Sequence, residues 1–195
     1  MAACLALLCT QSAAWAGAQI YEPLAASVQA VMSKAVSDQA PLTSAFGSKL
    51  DEVDWLSAMS RRLDGRIRDH KTRIAFLKSV HYEASRAGLD PQMVLGLIQI
   101  ESGFKKYAVS RAGARGFMQV MPFWVAQIGA KSDDLFDMRK NIRYGCVILR
   151  HYLDVEKGDL YRALGRYNGS LGRPEYPRAV ETAWKHRWRY EGRLD

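Results

Sequence analysis

No stretch of the chain approaches the roughly 20 consecutive apolar residues that a bilayer-spanning helix needs, although 48% of the 195 residues are apolar. Cysteine is almost absent. Two of the three cysteines, Cys4 and Cys9, fall in the first nine residues, which leaves Cys146 alone in the body of the chain and excludes a disulfide scaffold there. The four histidines, His70, His81, His151 and His186, show no ligand spacing and no HExxH pattern, so neither a metal nor a cofactor is expected. There are no repeats, no low-complexity tracts and no long period-two alternation, which argues against an all-β domain. Between Phe104 and Phe123 there is not one acidic residue.

What is present begins with a leader. Met1 to Ala16 (MAACLALLCTQSAAWA) runs from an apolar stretch into small residues ending in Ala-Trp-Ala, the pattern of a secretory signal peptide. No Lys or Arg precedes Lys34, so the usual positive residues before the apolar run are missing. The expectation is export to the periplasm. A lipid anchor on Cys9 is not expected, because Leu8 stands where lipoprotein signals carry a small residue. Charge is uneven: residues 1–60 sum to −3 and residues 61–195 to +11, for a net +8. A basic body attracts polyanions, but no nucleic-acid-binding module pattern is present.

The coarse reading is mainly α. Residues 17–50 read as an extension, weakly structured or helical, with 24–40 loosely held. Asp51–Leu63 and about Ile67–Ala87 read as helices separated near Gly65. Asp90-Pro91 opens the next helix as N-cap and first-turn proline, and Gly103 closes it. Met138–Val155 carries Ile142, Cys146, Leu149 and Leu153 on one stripe, which makes Cys146 a core thiol. Short helices are expected from Asp159 and from Pro177, and an extended segment over Phe117–Pro122.

One side chain does not fit its surroundings. Glu101 shares a helix face with Ile98, Leu97, Val94 and Met93, all apolar, so it points where the core points. Desolvation there raises a carboxyl pKa, and the last turn of a helix also disfavours the anion. A carboxyl biased toward its protonated form suits a general acid; a buried structural glutamate paired to a neighbour is the alternative. A glycine-bearing loop, Ser110-Arg111-Ala112-Gly113-Ala114-Arg115-Gly116, and Tyr167-Asn168-Gly169 at a helix end add amide and phenol groups suited to gripping a sugar.

Taken in order, Glu101-Ser102-Gly103-Phe104, Ser110-x-x-Gly113-Ala114, Gly116-Phe117-Met118-Gln119-Val120-Met121-Pro122 and Tyr167-Asn168-Gly169 resemble the catalytic domain of soluble lytic transglycosylases, relatives of goose-type lysozyme. The resemblance covers about residues 70–185, within a domain expected over 51–195. Phe117 departs from the family's more frequent Leu. The resemblance implies a lysozyme-like α-helical domain with a short β-like segment at the cleft, acting on peptidoglycan glycan strands. Glu101 would be the single catalytic acid, with Ser110 and Tyr167 hydrogen-bonded to it. Met118 and Gln119 would line the sugar cleft, with Asn168 on the opposite wall and Tyr152 and Tyr176 as further wall residues. Asn141 reads as a structural residue early in its helix.

Glycosidases usually pair two carboxylates, and the acid-free motif loop points to a one-carboxylate route. In it the muramoyl C6 hydroxyl replaces water and a 1,6-anhydro product forms. A hydrolytic goose-lysozyme-like muramidase and a non-catalytic wall-binding module assisting a secretion apparatus remain as alternatives. A monomer is expected. If the leader reading is correct, N-terminal sequencing of the periplasmic fraction will find a chain beginning near Gly17; an intact Met1 on cytoplasmic material would refute it.

Overall fold

Side-chain caps decide where most of the helices start. In this computed structural model, which describes residues 19–37, 40 and 46–192, Ser48 opens α2 (Lys49–Leu63), Asp69 opens α3 (His70–Arg86) and Asp90 opens α4 (Pro91–Ser102). Asp137 opens α6 (Met138–Val155) and Asp159 opens α7 (Leu160–Asn168). Each accepts a hydrogen bond from a first-turn N–H, at 2.7 Å for Asp69 to Thr72 and for Asp90 to Gln92, satisfying a donor that the helix itself cannot. Gly103 and Gly169 end α4 and α7 in the left-handed region. The mainly helical architecture follows the sequence reading. The leader at 1–16, with Cys4 and Cys9, lies outside the described residues.

Three elements differ from expectation. Ala26–Ser37, read as loosely held, forms α1 and packs on α6 and on α5 (Phe123–Ile128), burying Met32 and Val36. Its Ala- and Ser-rich pattern is weak because only one narrow stripe meets the core. The short helix α5 was not foreseen. The last regular helix, α8, spans Glu175–Ala183 and starts before Pro177; proline is tolerated in a first turn, where its missing N–H would have no helical partner. A single wide turn, Trp184–Trp188, follows it.

The centre of the fold is α4, flanked by α3, α8 and the Trp184–Trp188 turn. Gly96 permits this closeness: a Cβ there would sit 2.9 Å from the Trp184 backbone nitrogen. Gly145 does the same on α6, where a Cβ would lie 2.4 Å from Met118 Sδ. Each glycine costs about 1 kcal/mol of helix propensity, and close packing of two elements is what that cost secures. Cys146 is buried on the core stripe, and burial pushes its thiol pKa up.

A buried charge cluster ties α1, α3 and α6. Glu83, with no exposed side-chain surface, accepts from Arg139 Nε at 3.0 Å, Arg143 Nη2 at 2.9 Å and Arg86 Nη2 at 3.0 Å. The guanidiniums then reach the α1 end and beyond, Arg86 to the Ala35 carbonyl at 2.8 Å, Arg143 to Val36 at 3.2 Å and Arg139 to Ala40 at 2.5 Å. Removing Glu83 would take away the carboxylate that these three cations share. Glu83→Ala should therefore lower unfolding stability by about 3–5 kcal/mol. Denaturant titration checks this, and a loss under about 1 kcal/mol would mean the cluster behaves like a screened surface pair.

Candidate active site

The site is built around the C-terminal turn of α4. Because α4 buries Val94, Leu97 and Ile98, the helical period carries Glu101 to the same side, where it is 5% exposed. Burial is the main influence on its carboxyl and raises the pKa to about 8; hydrogen bonds from Tyr176 and Asn168 oppose that rise without cancelling it. The Tyr176 hydroxyl donates to Oε1 at 2.5 Å. Oε2 is buried with no hydrogen-bond partner satisfying the usual geometry among the described residues. The side chains acting on this carboxyl are thus a phenol and an amide, neither of them an acid.

The loop after α4 folds back over it as a small β-like unit. Arg115 and Val120 exchange backbone hydrogen bonds at 2.9 and 3.0 Å, and Val109 bridges to Arg115. Gly116 sits at φ 76° with Asn141 so near that a Cβ would fall 2.4 Å from its amide nitrogen. Asn141 is a latch: Oδ1 accepts from the Met118 N–H at 2.8 Å, and Nδ2 donates to the Arg115 and Leu135 carbonyls, each at 2.9 Å. Ser102, beside the acid, donates to the Phe117 carbonyl at 2.7 Å. Gln119 holds φ 49°, a strained value for a non-glycine residue. Its own amide, donating to the Gly116 carbonyl at 2.9 Å and to Ala108 at 3.2 Å, over-determines that conformation.

The expected positions now sort themselves. Tyr176 and Asn168 reach the acid. Tyr167, expected to bond the carboxyl, instead donates to the Met118 carbonyl at 2.7 Å; it lies close enough for the Glu101 charge to act on its phenol, yet α7 aims its hydroxyl at the loop. Ser110, also expected at the carboxyl, accepts from the Ala114 N–H at 3.0 Å and closes the loop's turn. Met118 is fully buried against Gly145 and Gln119 is 3% exposed, so both hold the loop from beneath rather than present side chains to an open cleft. Tyr152, expected as a further wall residue, is buried with its ring edge-on to Trp124 at 6.1 Å.

One residue was missed altogether. Gln19 is 5% exposed, and its Oε1 accepts from the Trp124 indole N–H at 2.9 Å and the Met121 N–H at 3.2 Å. Its place in a stretch read as an extension, far from Glu101 in sequence, carried no signal. The described residues hold no cluster of three or more His, Cys, Asp or Glu side chains suited to a metal.

The chain is similar in sequence to known proteins. A Transglycosylase from Enterobacteria phage PRD1 is 33% identical over 93 residues, covering 48% of this chain and 34% of that protein. The Membrane-bound lytic murein transglycosylase C of Edwardsiella ictaluri is 33% identical over 113 residues, covering 50% of this chain and 32% of its own length. The chain thus spans about a third of these relatives. The solved structure of an inactive mutant of the lytic transglycosylase Slt from Pseudomonas aeruginosa aligns at TM-score 0.46 and 27% identity, over 60% of this chain and 19% of that one. The profile of the Transglycosylase SLT domain matches residues 78–183, more than half the chain and all of α4, the β-like loop, α6, α7 and α8, and the chain belongs to that family.

Proposed function

We propose that the protein is a peptidoglycan lytic transglycosylase in which Glu101 acts first as acid and then as base. The observation that carries this reading is a buried carboxyl whose pKa burial raises to about 8, with no second acid acting on it among the described residues. In the first step Glu101 gives its proton to the glycosidic oxygen between N-acetylmuramic acid and N-acetylglucosamine, and the C1–O bond breaks. The substrate's acetamido carbonyl stabilises the oxocarbenium charge. The Tyr176 phenol and the Asn168 amide stabilise the carboxylate that Glu101 has become. In the second step that carboxylate takes the proton of the muramoyl C6 hydroxyl as its oxygen closes on C1, giving the 1,6-anhydro sugar without consuming water. Glu101 ends protonated, as it began.

The residues already placed have roles in this scheme. Gln119, Asn141 and Ser102 hold the loop that shapes the cleft beside the acid, and Met118 supplies the carbonyl that fixes Tyr167. The excess of Lys and Arg after residue 60 suits a polymer whose lactyl and peptide groups carry carboxylates. Such a substrate lies in the cell wall, which agrees with the periplasmic expectation. Tyr152 is left as a core aromatic.

Two measurements test the reading. Wild-type protein acting on purified sacculi should release anhydro-ended muropeptides, each lighter by one water than its hydrolysed counterpart; reducing muramic ends alone would identify a hydrolytic muramidase instead. Glu101→Gln should lose at least about 10²–10⁴-fold in release rate, while glycan binding persists. Near wild-type release would make Glu101 a structural carboxyl.

The same variant carries a pH signature. The folded Glu101 carboxyl keeps its proton to about pH 8, against about 4.5 for an ordinary glutamate, so at this site the native state binds more protons than the unfolded chain across that window. The stability that Glu101 contributes must then fall as pH rises from about 4.5 to 8. Glu101→Gln should match wild type near pH 4 and exceed it by a margin on the order of a few kcal/mol at pH 8. Thermal unfolding of both proteins across that range reads the difference, and parallel curves would refute a raised pKa.

A further inference from the structure

The segment before α1 is held to the site in an unusual way. It buries a polar residue, Gln19 at 5% exposure, and leaves Ile20 and Tyr21 outside at 60% and 59%. A segment retained for core stability would do the reverse. The Gln19 carboxamide is recognised at its oxygen. Two donors, the Met121 N–H and the Trp124 indole N–H, converge on its carbonyl oxygen, and its amide lies near enough to Tyr167 to act on that phenol. Tyr167 is in turn close enough to Glu101 for their charges to interact, and the next residue, Asn168, touches that carboxyl.

A site offering two N–H donors to one carbonyl oxygen, beside a phenol whose own proton goes to the Met118 carbonyl, is the complement of an amide. A carboxylate would leave the Tyr167 side without a donor, and an alcohol would fill only part of it. The acetamido group of an N-acetylated sugar has the same carbonyl and N–H as the end of a glutamine side chain. Apart from Leu24, which packs partly buried against the core, the remaining anchors of the segment are of a strength that can be released. The Tyr21 ring meets Phe123 edge-on at 5.5 Å, Gln127 Nε2 donates to the Glu22 carbonyl at 2.9 Å, and the exposed Glu22 carboxylate lies 3.6 Å from Arg166, an ion pair of little worth in water.

We propose that Gln19 is a built-in occupant of an acetamide-binding pocket beside Glu101, and that residues 19–24 form an autoinhibitory strap which an N-acetylated glycan must displace. The ligand class rests on the proposed glycan-cleaving function. The strap makes the free enzyme only fractionally competent, so apparent affinity for substrate is reduced by the fraction of molecules with the strap released.

The test compares binding of the tetramer of N-acetylglucosamine by Glu101→Gln protein with and without Gln19→Ala, so that no turnover intervenes. Loss of the glutamine should tighten binding about tenfold, the net worth of one to two hydrogen bonds. The fully deacetylated glucosamine tetramer should show no such gain. In the protein that retains Gln19, adding the acetylated tetramer should move the Trp124 indole N–H resonance as the indole exchanges Gln19 for sugar. Equal affinity in the two proteins would overturn the strap by showing Gln19 to be packing alone. Weaker binding by the Gln19→Ala protein would overturn it by making Gln19 part of the substrate-binding surface. If neither protein binds the tetramer and the Trp124 resonance stays still, the strap is also excluded, while anhydro-muropeptide release by the wild-type enzyme judges the proposed function separately.

Discussion

A carboxyl group kept out of water is the interaction on which the rest of this protein turns. Burying Glu101 is costly if it is charged and tolerable if it is not, so the fold selects its protonated form, and burial is the first cause of the upward shift. The proposed chemistry needs that acid to become an anion midway and then recover its proton. Tyr176 and Asn168 meet the first need because they stabilise the anion without being strong enough to ionise the resting acid. A cationic partner would hold the carboxyl ionised and remove its capacity to donate.

Keeping the acid out of water is a matter of loop construction. The motif loop carries no acid of its own, so it adds no competing charge. Its shape is fixed by groups that never approach the reaction. Asn141 spends all of its hydrogen-bonding capacity on the loop backbone, and Gln119 holds its own strained φ in place. Gly116 and Gly145 are small because a neighbour already fills the space a side chain would take. The Met118–Pro122 run thus reads as structural reinforcement for a glutamate, and it carries the strained backbone of Gln119, as functional sites do.

Charge is used in two opposite ways. At Glu83 three guanidiniums are gathered around one buried carboxylate to join α3 and α6 to the end of α1, and no substrate is needed to complete that cluster. At Glu101 charge is kept away. The two buried glutamates lie on neighbouring helices of the same core, and what separates structural anchor from candidate acid is the company each side chain keeps.

Much of this was legible in the residues themselves. Helical periodicity carried Glu101 into the core, capping aspartates and terminal glycines set the bounds of α4 and α7, and α6 was foreseen from Met138 to Val155, because these features depend on neighbours within a few positions of sequence. The raised pKa of Glu101 followed from the same local face. What local pattern could not provide was which of several polar groups arrives at the carboxyl. Tyr167 and Tyr176 are both phenols near a helix end, and only the packing of α8 on α4, and of α7 on α6 and α8, sends Tyr176 to Glu101 and turns Tyr167 toward Met118. Ser110 and Asn168 exchanged prominence for the same reason. Gln19 was invisible, since a glutamine before a weakly patterned Ala- and Ser-rich helix has no periodicity to betray burial. The sequence by itself determined the helices, their ends and the one carboxyl aimed inward, because those are set by contacts along the chain. The tertiary structure alone decided the partners of that carboxyl and the occupant of the neighbouring pocket, because a hydrogen bond across many tens of residues depends on how helices cross, and no spacing in the sequence encodes it.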